Sequence, residues 1–250
     1  MTEMDINDAA KRVKEILRLD SEPVSIHLLS DRDDTRFASF ARVRSHRYCQ
    51  LVMRARRGES VFLGPEELAC PAAAAAFGFR PLPEGLTTGK GLVGFGIVED
   101  AATGRTMFKG MPHLKPGRVA AIAASPLGAA QTIPDVVVVE GPPEALMWLA
   151  LADLNVAGGL RRRGDTAVLQ ATCVDATIIP YIEQRLNFCL GCYGCREATD
   201  LGPHESVLGF PGGRLEPLIA ALESLAAKAV WRSRAKSVFE NLNKKESYDE

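Results

Sequence analysis

Three thiols stand three residues apart at Cys189, Cys192 and Cys195, in the stretch CLGCYGC. This C-x2-C-x2-C spacing lets a short, turning backbone direct several thiolates at one compact centre, and it matches the first three ligands of bacterial ferredoxin runs. Gly191 and Gly194 lie between the cysteines and offer the positive-φ freedom that such a wrap needs. The fourth cysteine of the ferredoxin run is absent, so a fourth ligand has to come from a distance. Cys70, followed directly by Pro71, resembles the Cys-Pro ending of iron–sulfur motifs, and Cys173 is the alternative. The pattern points first to a [4Fe-4S] cluster on Cys189, Cys192, Cys195 and Cys70. Structural zinc comes second, because zinc sites usually draw on two separated ligand pairs. Thiol–disulfide chemistry across a Cys-x-x-Cys step is the third reading. Cys49, in a helical pattern, reads either as a buried small hydrophobe or as a neighbour of the cluster. No Cys-x-x-Cys-His is present, so haem attachment is not supported.

Other residues compete for a role. Arg196 follows the last cysteine, where its charge would raise the potential of a cluster or form a surface ion pair. GKGLVGFG, residues 89–96, fits G-x-G-x-x-G, but it has no convincing strand before it and no helical pattern after it. It reads better as a glycine-rich strand or loop that lets another backbone approach closely. Seven arginines and no acidic residue occupy Arg36 to Arg57, which suits an anion site, a docking patch for an acidic electron carrier, or a solvated helix face. His46, His113 and His204 lack metal-pair spacing, and no catalytic triad stands out.

These side chains sit in a chain of 250 residues, long enough to bury a core without disulfides. Hydrophobic residues make up 46% and charged residues 24%, and the net charge of -1 gives no general attraction to nucleic acid or membrane. The amino-terminal stretch has the pattern of a charged amphipathic helix and lacks the order of a secretory signal, so a cytoplasmic location is expected. In a reducing compartment six cysteines favour metal binding or reactive thiols over structural bridges.

The elements that must position the thiols follow from periodicity. EPVSIHLL, ESVFLG, DTAVLQATC and the β-branched run PDVVVVEG read as strands, the last buried on both faces. RYCQLVMRAR, EALMWLALADL, RVAAIAA and LEPLIAAL read as helices, with a further small helix behind Cys70-Pro71. IVEDAATGR has a strand-then-turn character. Four pairs of segments recur in the same order: Arg56–Ser60 with Arg162–Thr166, Cys70 with Cys173, Gly91–Asp100 with Gly191–Asp200, and Gly110–Pro112 with Gly209–Pro211. The fold class expected is α/β, with two pseudo-symmetric α/β halves from an internal duplication forming one compact unit. The divisions are an N-terminal helix over 1–22, a first half with the glycine-rich loop over 23–130, a second half with the cysteine-rich loop over 131–228, and a polar helix and tail over 229–250. Equivalent positions would make the glycine and cysteine loops face one another.

RYCQLVMRARRGESVFLGPEELACPAAAAAFGF, PDVVVVEGPPEA and LGCYGCR leading into LGFPGGRLEPLIAAL resemble an uncharacterised prokaryotic family, domain of unknown function 169. The resemblance runs from about Val24 to Leu225, and its most specific parts are Gly191, Cys192, Gly194, Arg196 and the Cys70-Pro71 segment. It implies a stand-alone cytoplasmic protein, iron–sulfur in its cysteine-rich members, without an established reaction. From the thiols the expected function is an iron–sulfur redox enzyme or electron-transfer component, with a redox partner or small anionic ligand. The alternative is a non-catalytic module with a structural cluster or zinc. Neither nucleic acid nor membrane is expected as a partner, and the C-terminal helix offers a surface for homo-oligomers.

Overall fold

Valines at 136 to 139 decide the centre of the molecule. The structure, a computed structural model, describes residues 5–228 and 230. It contains seven strands: β1 Val24–Leu29, β2 Ala41–Arg42, β3 Val61–Leu63, β4 Ala121–Pro126, β5 Val136–Gly141, β6 Asn187–Cys189 and β7 Ser206–Pro211. They form one mixed sheet in the order β2-β3-β4-β1-β5-β7-β6, parallel only between β2 and β3. Every residue of β5 is buried. Side chains alternate across a strand, so Val136 and Val138 enter one hydrophobic cluster while Val137 and Val139 enter another on the opposite face. Full burial of such a side chain is worth about 1.5–3 kcal/mol, which commits β5 to a middle layer with helices on both sides.

On the Val137 face lie α1 (Ile6–Leu17), α7 (Pro143–Val156) and α10 (Leu215–Lys228). Asp5 caps α1 by accepting from the Asn7 and Asp8 amides, and Ala9, Val13 and Leu17 repeat every four residues to give its buried stripe. The Val136 face carries α2 (Tyr48–Arg56), α3 (Pro71–Ala76), a π-helix over Ala171–Ile178, and α8 (Ile179–Glu183). Near them α9 (Tyr193–Ala198) follows β6, while α4 (Glu84–Thr87), α5 (Lys90–Gly94) and α6 (Ala101–Lys109) pack on one another to form a small cap. No helix among the described residues is long and apolar enough to cross a membrane.

The strands and helices differ from expectation in four places. DTAVLQATC does not form a strand; it leads into the π-helix, whose eight residues are all buried. Burial on every side leaves no polar face, so hydrophobic period could not separate helix from strand there. RVAAIAA is strand β4, because Ile122 and Ala124 pack into one face and Ala121 and Ala123 into the other, and small side chains fit between the layers. In IVEDAATGR, Asp100 is an N-cap, accepting from the Thr103 amide at 2.8 Å, and α6 follows. The glycine-rich segment forms α5. A β-carbon on Gly89 would lie 2.1 Å from the Ala101 carbonyl oxygen, so its absence lets α5 sit against α6.

The sheet is continuous across the expected 130/131 division, since β1 pairs with β5. Its order is two-fold-like about that pair: in each half the first strand is central, the last lies next to it, and the middle one lies outside. The sequence pairs that suggested duplication do not map onto this symmetry. Arg56–Ser60 precedes β3, but Arg162–Thr166 precedes the π-helix, and Gly110–Pro112 is irregular while Gly209–Pro211 belongs to β7. Strand order places Cys70, the cap of the helix after β3, opposite Cys192, the cap of the helix after β6. The expected helix over 229–250 lies outside the described residues apart from Val230.

Candidate functional site

Cysteines far apart in the chain meet on the Val136 face. α2 brings Cys49, the N-terminus of α3 brings Cys70, the π-helix brings Cys173, and α9 brings Cys192 and Cys195. These five thiols line one cavity of about 280 Å³. All six cysteines are free, and only Cys70 is partly exposed. The Cys192 thiol donates to Cys195 Sγ at 2.9 Å, and the Cys195 amide donates to Cys192 Sγ at 3.3 Å. Thr172 Oγ1 lies 3.3 Å from Cys195 Sγ, and the Cys173 thiol donates to the Gln170 carbonyl.

The electrostatics keep Cys173, Cys192 and Cys195 protonated. Burial raises Cys173 well above the ordinary thiol range, and the nearby Cys70, Cys195 and Cys192 add to the rise. The hydrogen bond with Cys195 raises Cys192, and burial raises it further. For Cys195 the bond from Cys192 favours the thiolate, but contact with Cys49 and burial outweigh it and push the thiol up to about 12. A buried thiol set of this kind gives up its protons when a cation enters and takes their place.

Of the sequence-adjacent trio, two thiols reach the cavity and the third turns aside. Cys189 hydrogen-bonds the Asp175 carboxyl and accepts from the Gly191 amide, and it is not part of the cavity lining. Burial pushes Asp175 up to about 7, against the effect of its bond from Thr166 Oγ1 at 2.5 Å. Cys70 and Cys173, the two candidates for a remote ligand, both line the cavity, and so does Cys49. Spacing alone could not find Cys49, because its neighbours in the cavity are at least 20 positions away in sequence; its place beside the strongly matched Cys70 segment was the available signal.

The loop geometry explains the glycines and Arg196. Gly191 has φ +85°, and a β-carbon there would lie 2.9 Å from Leu201 and 3.2 Å from the Arg196 guanidinium. Gly194 is helical and does not adopt positive φ; its carbonyl accepts from Arg47 Nη1 at 3.2 Å. Arg196 donates to the Leu190, Gly202 and Glu205 carbonyls at 2.5–2.8 Å, closing the cysteine loop on itself. The arginine-rich stretch disperses. Arg56 is buried against Glu140, Asp200 and Glu205, Arg57 pairs with Asp200, Arg54 with Glu59 and Arg36 with Asp34. Among the residues lining the cavity, Arg47 and Glu197 are the charged ones.

Opposite the thiols, Leu86, Leu92, Phe95, Ile97 and Phe108 of the α4–α6 region form an apolar wall. The glycine-rich and cysteine-rich segments therefore both contribute to the lining of one cavity. Its donors are all sulfur on the ligating side, with no imidazole in the lining. Among the described residues no three Cys, His, Asp or Glu side chains converge in a group placed to hold a metal ion. The lining is rich in sulfur, a donor that suits soft metal centres over hard cations.

A family model described as Uncharacterised ArCR, domain of unknown function 169, matches residues 12–221. An uncharacterized protein of Methanocaldococcus jannaschii is 29% identical over 233 residues, covering 91% of this chain and 98% of that protein. No solved structure matches the chain.

Proposed function

The chain belongs to the domain of unknown function 169 family, whose description assigns no reaction, and we propose that it is an iron–sulfur redox protein. The observation that carries this reading is the gathering of five cysteines from four separate elements on one cavity. Cys70, Cys192 and Cys195 are the core of the ligand set, with Cys49 or Cys173 completing it and Cys189 behind it. Thiolate donors select iron–sulfur clusters and other soft centres over hard cations. A cluster would supply one-electron transfer, and the protein's part would be to hold the thiolates and to set the potential through burial and hydrogen bonds. Here the Cys195 amide and Thr172 hydroxyl are the hydrogen-bonding groups, and the apolar wall limits water. Electron-transfer component and redox enzyme are both consistent with this arrangement.

Anaerobic purification followed by iron, sulfide and zinc analysis, with visible spectra before and after dithionite, tests the proposal. About four irons and four sulfides per chain, with a broad band near 400 nm that bleaches on reduction, are expected for a thiolate-ligated cubane. One zinc without iron refutes it in favour of a structural site. A second reading rests on the 2.9 Å approach of Cys192 Sγ to Cys195 Sγ, which suits a dithiol–disulfide couple. Protein without metal, in which Cys192 and Cys195 form a disulfide on incubation with oxidised glutathione, would establish that reading and overturn the first.

A further inference from the structure

The thiol cavity has a second half whose chemistry differs from the first. Thiols line the deep side, while Leu86, Leu92, Ile97, Phe108 and Leu169 line the rest with hydrocarbon. At its mouth Phe95 is 72% exposed and Tyr193 55% exposed, so two aromatic rings are left in water beside an apolar chamber. Isolated surface aromatics need no explanation, but a pair in the lining of one pocket is the usual signature of a small-molecule entrance.

Charge at this entrance sums to zero. Arg47 is the one cation in the lining and is exposed, with one of its N–H groups given to the Gly194 carbonyl. Glu197 is the one anion in the lining, and it accepts from the Tyr193 phenol. A carboxylate that moved past Arg47 to the apolar wall would lose hydration without gaining a partner there, which is costly in an apolar site. A neutral ring would lose only unfavourable hydration. An apolar cavity of about 150 Å³ is enough to take up benzene, so the present volume of about 280 Å³ leaves space for one ring beside a centre at the thiols.

We infer that the cavity admits a neutral, ring-bearing organic molecule, past Phe95 and Tyr193, to the apolar wall beside the thiols. As the substrate of a redox centre this molecule rests on the iron–sulfur reading; as a ligand of the pocket it does not. It takes the place of the small anion that the arginine-rich stretch suggested, since Arg47 alone of those arginines lines the cavity.

Para-cresol and para-toluate have the same outline and differ in charge at neutral pH, which makes them suitable probes. Their binding to the anaerobically purified full chain is measured by calorimetry or ligand-observed NMR, alongside iron and sulfide per chain. The expected result is cresol binding at least tenfold tighter than toluate, weakened at least fivefold by Phe95→Ala with iron content unchanged. Equal or tighter binding of toluate, or no loss of cresol binding in Phe95→Ala, overturns the inference. The two proposals separate cleanly. A cresol preference in protein without iron removes the cluster and keeps the pocket, while iron without a cresol preference does the reverse.

Discussion

Gly209→Ala tests the contact that fixes the floor of the thiol site. Gly209 lies in β7, paired with Val138 of β5 and Asn187 of β6. An alanine β-carbon there would lie 1.8 Å from the Ala176 carbonyl oxygen and 2.6 Å from its carbonyl carbon. Neither obstacle is a mobile side-chain tip: both are backbone of the buried π-helix. To restore ordinary contact the helix must withdraw by about 1 Å or more, and it carries Thr172, Cys173 and Thr177 with it. Thr177 would be pulled from the Tyr48 hydroxyl, 2.8 Å away on α2, and Thr172 from Cys195. Overpacking alone typically costs about 1–3 kcal/mol. The two lost buried hydrogen bonds add about 1 kcal/mol each, so the expected destabilisation is about 3–5 kcal/mol. Chemical denaturation measures it, with Gly213→Ala as control, because a β-carbon at Gly213 meets nothing within 4 Å. The control should stay within about 0.5 kcal/mol of the parent. A Gly209→Ala protein within about 1 kcal/mol of the parent would refute the close approach of β7 and the π-helix.

Cys49→Ser and Cys189→Ser make a paired test of the ligand set: Cys70→Ser and Cys192→Ser should each abolish bound iron, Cys49→Ser should reduce it by about half or more, and Cys189→Ser should retain it. Equal loss in Cys49→Ser and Cys189→Ser, measured by iron analysis after anaerobic purification, would return Cys189 to the ligand set. Gly191→Ala should cost about 1–3 kcal/mol in denaturation, from the αL backbone and the approach to Leu201, whereas Gly194→Ala, in a helix, should cost far less. His27 provides a pH test away from the thiols. Burial, then Arg36, lowers its pKa from 6.5 to about 4, against the opposing effect of Asp34. Below pH 6.5 the unfolded chain takes up the proton first, so the stability this neutral ring contributes is whole above that pH and is lost as pH falls toward 4. The full difference is about 3 kcal/mol at 1.36 kcal/mol per unit. Denaturation midpoints between pH 7 and pH 4 should fall less steeply in His27→Gln than in the parent; parallel slopes would rule out this titration as the cause.

Legibility in the sequence followed local contrast. β5 was readable because four successive β-branched residues end in turn-forming residues, and α1 because a buried stripe alternates with charge. The π-helix and β4 were not, for the same physical reason in opposite directions. Residues 171–178 are buried on all sides, Thr172, Asp175 and Thr177 included, and three of the six residues of β4 are alanine, so neither shows the face that betrays its period. The helix α6 that Asp100 caps was read as a strand and turn, since its weak apolar pattern follows from its place in an exposed cap. At the site, local spacing pointed to Cys192 and Cys195, which line the cavity, and to Cys189, which does not. Cys189 closes β6 and turns to Asp175, while Cys192 opens the next helix and turns to the cavity.

Strand order carries the remaining logic of the site. Loops after β3 and β6 each end in a cysteine that caps a short helix, Cys70 after β3 and Cys192 after β6. The pair is separated by almost half of the chain and packs in the hydrophobic cluster on the Val136 face. α2 and the π-helix then fill the space between the two caps, and each contributes one more thiol, Cys49 and Cys173. A centre held this way would tie both halves of the sheet together through one face and leave the α1–α7–α10 face untouched. The thiols are therefore set by the topology as much as by the CLGCYGC loop, and the three-residue spacing is the local part of an arrangement whose other cysteines come from elements elsewhere in the chain.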